Sequence, residues 1–197
     1  MKKLAIFDLD GTLLYTLEDL HASTNFALES EGLPARSLDE VRRFVGNGIR
    51  KLIERAVPDG CAPDVTDRVF AAFKRHYAEN CMVLTRPYPG IPEMLDALKV
   101  RGWQLGVVSN KADEPVKALI AHYFPGVFDS VVGERENVRK KPAPDSVFET
   151  VGSLGCDIGQ AVYIGDSDVD GQTAANAGCD CILVSWGFRG RETLLPF

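Results

Sequence analysis

Along the chain, apolar positions fall into two regimes, a long stretch of helical periodicity and, around it, short apolar runs that alternate with helices. Leu4-Ala5-Ile6-Phe7 is an unbroken apolar run, long enough for a strand covered on both faces and too short to cross a membrane. No comparable run follows Leu14 until about residue 103. Residues 16–31 instead carry Leu17, Leu20, Thr24, Phe26, Ala27 and Leu28 near helical spacing and stop at Gly32-Leu33-Pro34. Ser37-x-x-Glu40 has the form of a capping box opening a helix to about Phe44. Gly46-Asn47-Gly48 breaks that helix, and residues 49–56 resume the period. Residues 64–80 predict an amphipathic helix with Val65, Val69, Phe70, Phe73 and Tyr77 on one face, and Pro87-Tyr88-Pro89-Gly90 reads as a hinge.

From there the alternation is strict. Helices are predicted at 91–101, 113–122, 144–154 and 169–177, and strands at 103–108, 127–132, 161–164 and 180–184. Strands separated by helices imply parallel pairing through right-handed crossovers. The expected fold is therefore α/β, a doubly wound parallel sheet of Rossmann-like design built from residues 1–14 and 86–197. A helical domain, residues 15–85, is inserted after the first strand.

Composition narrows the function without naming it. Of 197 residues, 45% are hydrophobic and 25% charged, ordinary for a globular protein. The net charge of −6 argues against a broad nucleic-acid-binding face, yet leaves room for a small anionic substrate beside a metal. The 5 cysteines contain no C-x-x-C, and their odd number fits reduced thiols in a cytoplasmic protein. Met-Lys-Lys precedes no signal-like apolar segment, and no run approaches the roughly 18 apolar residues of a membrane span. A monomer or homodimer without membrane or nucleic-acid partners is the expectation.

The chemistry gathers where apolar runs end. Asp8 and Asp10 close the first run and are followed by Gly11 and Thr12. In an α/β sheet such positions face the ligand-binding edge. Two carboxylates this close repel unless a cation joins them or one keeps a proton, and a hard oxygen-seeking ion such as Mg2+ resolves the conflict. Gly11 permits a tight turn, and Thr12 offers a hydroxyl and an N–H. Ser109 and Asn110 close Val107-Val108, Lys141 stands before Pro142 in a polar loop, and Asp166 and Asp170 follow Tyr163-Ile164-Gly165. A parallel sheet would bring all four segments to one edge. Acids, a hydroxyl, an amide and an ammonium together suit phosphoryl transfer. Asp166-x-Asp168-x-Asp170-Gly171 also begins like a calcium loop, but position 177 is Ala rather than the required Glu, and the segment follows a strand.

In order, Asp8-Leu9-Asp10-Gly11-Thr12, Ser109-Asn110, Lys141-Pro142 and Gly165-Asp166-Ser167-x-x-Asp170 resemble the four motifs of the haloacid dehalogenase-like hydrolases. The helical insertion resembles the C1-type cap of the subfamily that contains phosphoglycolate phosphatase and β-phosphoglucomutase. Arg42-x-Phe44-Val45-Gly46-Asn47-Gly48, Tyr88-Pro89-Gly90 and Val108-Ser109-Asn110-Lys111 look most like phosphoglycolate phosphatase. The resemblance implies a Mg2+-dependent phosphatase of small phosphorylated metabolites, 2-phosphoglycolate foremost. Asp8 would be the nucleophile that becomes an aspartyl-phosphate, and Asp10 the acid and base. Asp8, the Asp10 backbone carbonyl and Asp166 would hold the metal, with Asp170 behind them. Gly11, Thr12, Ser109, Asn110 and Lys141 would bind phosphate. The cap would read the leaving group through Arg42, Asn47 and Gly48. A sugar phosphomutase, a nucleotidase or a pyrophosphatase shares these motifs. From other classes, a phospho-aspartate receiver is excluded by motif order, and a silent binding protein would not need the full acidic set. Members of the family ordinarily continue past Trp186-Gly187 with a further strand and helix, whereas this chain ends at Phe197, a short variant or a truncated one.

Overall fold

The computed structural model describes residues 2–197. Five strands form one parallel sheet: β1 (Leu4–Phe7), β4 (Gln104–Ala112), β5 (Ser130–Glu134), β6 (Ala161–Gly165) and β7 (Asp180–Leu183). Two short strands, β2 (Leu14–Tyr15) and β3 (Arg86–Pro87), lie where the chain leaves the sheet region and returns to it. Spatial order in the main sheet is β5-β4-β1-β6-β7. After β1 the chain builds outward through β4 and β5, then crosses to β6 and β7 on the other side. The central strand is thus flanked by two parallel neighbours, Phe7 lying opposite Val107 and Ile164. This reversal of direction is where ligands bind in open α/β sheets, beyond the carboxyl ends of the strands.

The run Leu4 to Phe7 is buried throughout, as a central strand covered on both faces requires. Leu4, Ile6, Val108, Val132 and Tyr163 form a core with Val147 and Val151 of α7 (Asp145–Ser153) and with Ala174 and Ala177 of α8 (Asp168–Ala177). Toward the opposite face, Ala5, Phe7, Val162 and Ile164 line an apolar groove together with Ile91 and Met94 of α5 (Ile91–Val100). The remaining crossover helix is α6 (Asp113–Tyr123), and a short turn, α9 (Arg191–Leu194), lies near the end of the chain.

By compactness the chain divides into two units, Met1–Tyr15 with Pro87–Phe197, and Thr16–Arg86. The second is helical: α1 (Leu17–Glu29), α2 (Leu38–Phe44), α3 (Ile49–Ala56) and α4 (Pro63–Asn80). Ser37 caps α2 with both bonds of the capping box formed, Oγ accepting from Glu40 N–H and the Glu40 carboxylate from Ser37 N–H. Within this unit Asp19 is buried and accepts from the N–H groups of Leu84 and Thr85, tying the end of the insertion to its first helix. Among the described residues, no helix is long and apolar enough to cross a membrane, and all five cysteines are free.

Two strands depart from the sequence reading. β4 was expected to stop at residue 108, but it runs on through Ser109, Asn110 and Lys111 to Ala112. Its register against β5 shifts between Val108 and Ala112, so polar residues are carried inside a strand at its irregular end. β5 spans 130–134 rather than 127–132, because Val127 closes a turn by donating its N–H to Phe124 O, and Asp129 N–H donates to Leu105 O just before the strand begins.

Candidate active site

Asp8 is the first residue past β1, and its N–H still donates to Ile164 O at 2.8 Å, so the backbone is held in line with the sheet. Lys141 reaches it from the loop before α7, with Nζ 2.9 Å from Asp8 Oδ1 and 2.7 Å from Asp170 Oδ1. The same ammonium donates to the Tyr163 hydroxyl at 2.9 Å, and that hydroxyl donates to Val108 O at 3.1 Å. Lys141 is thereby fixed by two acids and a phenol with its side chain only 3% exposed.

Asp170 is wholly buried. Its Oδ2 accepts from Ser167 Oγ at 2.6 Å and from Ser167 N–H at 3.1 Å, while Ser167 Oγ accepts from Asp170 N–H. This is the capping box of α8, so one carboxylate both starts a helix and anchors the lysine. Asp166, at the end of β6, accepts from Thr12 Oγ1 at 3.2 Å and from Phe188 N–H at 2.7 Å. Glycines make room for it. A Cβ on Gly11, whose φ is +90°, would stand 2.4 Å from Asp166 Oδ2, and one on Gly187 would stand 2.2 Å from Asp166 Cβ.

Ligand oxygens of Asp8, Asp166 and Asp170 all lie within 4.8 Å of one another. Three carboxylates against one ammonium leave an excess of negative charge in a dry place. Burial pushes the Asp8 carboxyl up to about 7, with Asp170 adding to the rise and Lys141 opposing it. Burial, then the charges of Asp170 and Asp8, push Asp166 up to about 8. For Lys141 burial opposes the charge, but Asp170 and Asp8 outweigh it and hold the ammonium well above the usual lysine value. The carboxylate set therefore fits a hard divalent cation, which would supply the missing positive charge through oxygen ligands.

Asp10 is partly buried, and both its oxygens meet Lys111 Nζ, at 2.9 and 3.1 Å. Ser109 and Asn110 are buried at the end of β4; Ser109 Oγ accepts from Lys111 N–H, and Asn110 Nδ2 donates to Lys141 O at 3.1 Å. Gly11 and Thr12, candidates for binding phosphate through their N–H groups, send those groups to Leu14 O and Leu9 O. The Thr12 hydroxyl goes to Asp166. The cap candidates lie in the second unit and have partners there: Arg42 pairs with Asp39, Asn47 Oδ1 accepts from Arg55, and Gly48, at φ +84°, precedes α3.

Sequence reasoning assigned no role to Tyr163, Ser167, Phe188 or Lys111. Signals were available for three of them: a tyrosine inside a buried apolar run, since a buried phenol needs a hydrogen-bond partner, the capping-box spacing Ser167-x-x-Asp170, and Lys111 within Val108-Ser109-Asn110-Lys111. The Phe188 N–H carried none.

Comparisons with known proteins agree with this geometry. A family model described as haloacid dehalogenase-like hydrolase matches residues 5–184. Phosphoglycolate phosphatase of Aquifex aeolicus (strain VF5) is 35% identical over 195 residues, covering 98% of this chain and 90% of that protein. Phosphoglycolate phosphatase of Cereibacter sphaeroides is 34% identical over 188 residues, covering 93% and 85%. The crystal structure of a candidate phosphoglycolate phosphatase from Lactobacillus delbrueckii subsp. bulgaricus ATCC BAA-365 is similar with a TM-score of 0.94 and 37% identity, covering 100% of this chain and 92% of that one. The matched span runs from the strand before Asp8 to the strand after Asp170, and on that ground the chain belongs to the haloacid dehalogenase-like hydrolases.

Proposed function

We propose that this chain, a phosphoric monoester hydrolase, removes phosphate from a small metabolite, 2-phosphoglycolate foremost, through an aspartyl-phosphate on Asp8 and with Mg2+ as cofactor. The observation that carries the chemistry is the Asp8 carboxylate at the end of the central strand, 2.9 Å from a buried lysine and among further acids. The names of relatives at 34–35% identity over nearly the whole chain support the substrate.

In this reading an oxygen of Asp8 attacks phosphorus, forming the acyl phosphate as the bond to the leaving oxygen breaks. Asp10 gives that oxygen a proton, then takes one from the water that hydrolyses the intermediate, returning Asp8 and inorganic phosphate. Lys141 holds Asp8 in place and offsets its charge against the incoming phosphate dianion. Ser109 and Asn110 line the same edge of the sheet and bind phosphoryl oxygens. Asp8, Asp166 and the Asp10 backbone carbonyl would hold Mg2+; when bound, the ion neutralises the excess carboxylate charge and polarises a phosphoryl oxygen. Asp170 stands behind them, because one of its oxygens is engaged by Lys141 and the other by Ser167. Arg42, Asn47 and Gly48 are the cap's candidates for reading the leaving group.

The test is phosphate release from a panel of phosphorylated metabolites with Mg2+ or with EDTA, beside Asp8→Asn. Metal-dependent turnover that peaks on 2-phosphoglycolate and disappears in the variant is the expected result. A peak on a sugar phosphate, nucleotide or pyrophosphate keeps the chemistry and overturns the substrate. Full turnover by Asp8→Asn overturns the nucleophile.

A further inference from the structure

Among the described residues, two lysines carry side chains that are at most 3% exposed while paired with an acid, and the proposed reaction uses one of them. The other is Lys111, whose side chain is 2% exposed and whose ammonium meets both oxygens of Asp10. Most other ion pairs of the protein are between exposed or half-exposed side chains, where such contacts contribute little. A buried ammonium is different. It loses its hydration, so it is retained only where an anion in good geometry replaces the water.

The local chain explains how Lys111 gets there. β4 does not end at Val108 but continues through its irregular stretch to Ala112, which carries Lys111 into the edge where Asp10 stands. Its backbone is held there too, Lys111 N–H donating to Ser109 Oγ at 3.3 Å. The contact joins residues 101 apart in sequence, from the ends of adjacent strands β1 and β4. Each of the two acids that act in the proposed reaction thus has its own buried lysine, Lys141 on Asp8 and Lys111 on Asp10.

We infer that Lys111 is a positioning residue for proton transfer: its ammonium, bonded to both oxygens of Asp10, fixes the direction in which that carboxyl faces the leaving oxygen. The inference rests on the reading of Asp10 as acid and base. In the first half-reaction an oxygen of Asp8 forms its bond to phosphorus, the bond from phosphorus to the leaving oxygen breaks, and the protonated Asp10 carboxyl gives its proton to that oxygen, becoming the carboxylate whose two oxygens Lys111 holds. A carboxyl turned out of line delivers it poorly, and small errors of orientation cost heavily in rate. The consequence is specific. Loss of Lys111 harms substrates whose leaving group needs a proton and spares those whose leaving group departs as a stable anion.

The experiment compares kcat/KM, which reports phosphoryl transfer to Asp8, for the best alkyl phosphate of the panel and for p-nitrophenyl phosphate. Wild type, Lys111→Met, Lys111→Arg, Asp10→Asn and the double variant Asp10→Asn with Lys111→Met are measured, each checked by circular dichroism. Expected is a fall of about 100-fold on the alkyl phosphate and of less than about tenfold on the aryl one, in Lys111→Met and Asp10→Asn alike. The double variant should be no worse than either single one, as for residues acting as a unit. Lys111→Arg, which keeps a two-pronged donor, should recover part of the alkyl rate. Equal losses on both substrates in Lys111→Met, with Asp10→Asn still selective, overturn the inference and leave the reading of Asp10 intact. An Asp10→Asn variant without leaving-group selectivity overturns that reading and the inference with it. Should Lys111→Met not fold, the same comparison on Lys111→Gln decides by the same two outcomes.

Discussion

A carboxylate is costly to keep negative where water is excluded, and Asp8 and Asp166 both stand in that position. Burial raises Asp8 to about 7 and Asp166 to about 8, from an ordinary value of 3.8. The sign of the linkage follows. Between roughly pH 4 and 8 the unfolded chain has released these protons while the folded metal-free protein retains part of them, so stability falls as pH rises through that window. The surface acids held low by neighbours, such as Glu40 beside the Ser37 N–H and hydroxyl, act only at lower pH and leave the trend intact. The melting temperature of the metal-free protein should therefore fall between pH 5 and pH 8, by about 2–4 °C for each kcal/mol lost. Saturating Mg2+ should flatten the slope by binding the ionised carboxylates. Thermal melts across that range with EDTA and with Mg2+ check both parts; a metal-free melting temperature that climbs with pH would show the anions to be stabilised by the protein itself.

Among the elements, α8 shows how structure and chemistry share atoms. Ser167 caps the helix, and Asp170, the third residue of that helix, returns the bond while its other oxygen holds Lys141. Ser167→Ala removes the shorter of two donors to Asp170 Oδ2, leaving the backbone N–H, and with it the acceptor for the Asp170 N–H. We expect a loss of about 1–2 kcal/mol in stability, typical of a deleted cap, and a fall in kcat of at least several-fold, because Asp170 would no longer hold Lys141 in one place. Urea unfolding and steady-state kinetics on the same preparation separate the two effects, and a stability loss with unchanged kcat would reduce Ser167 to a cap alone. The sequence made Asp170 visible as an acid after a strand, but its partners were hidden. The Tyr163 hydroxyl beside Asp170 also reaches Val108 O, which it meets only because β6 and β4 both flank β1, and the order of strands in a sheet is not written in the period of their residues. The alternation of strands and helices, by contrast, was legible throughout, since each element carries its own period and its own stop, as Gly178 does for α8. It failed at β4, where Ser109, Asn110 and Lys111 read as the polar close of a strand ending at residue 108. Those residues stay extended with partners from distant segments, Asn110 on Lys141 O of the loop before α7 and Lys111 on Asp10 just past β1.

At the scale of the whole molecule, an acidic protein of net charge −6 keeps three of its carboxylates together in one buried cluster. Nothing in folding favours that arrangement, for each charge removed from water destabilises the fold unless it is paired. If, as proposed, a cation joins this cluster, the metal-free fold lacks that compensation, and the cluster's acids are candidates for substitutions that stabilise the fold and abolish the function. Asp166 is the clearest case. Asp166→Asn would keep an oxygen for the Phe188 N–H, and the Thr12 hydroxyl can turn to accept from the new amide, so the packing around Gly11 and Gly187 need not change. What disappears is a buried carboxyl that the metal-free fold has to keep largely protonated beside two other acids, whereas the unfolded chain lets it ionise. The variant should melt higher than the metal-free wild type, by an amount on the order of 1–3 kcal/mol. It should also lose the stabilisation that Mg2+ gives the wild type, which grows with the logarithm of metal concentration above its Kd. Melts of both proteins over a Mg2+ titration, with phosphate release measured in parallel, test the two halves together. An Asp166→Asn protein that is no more stable without metal would mean that the cluster is already compensated by Lys141. One that still gains stability from Mg2+ would move the ion away from Asp166 altogether.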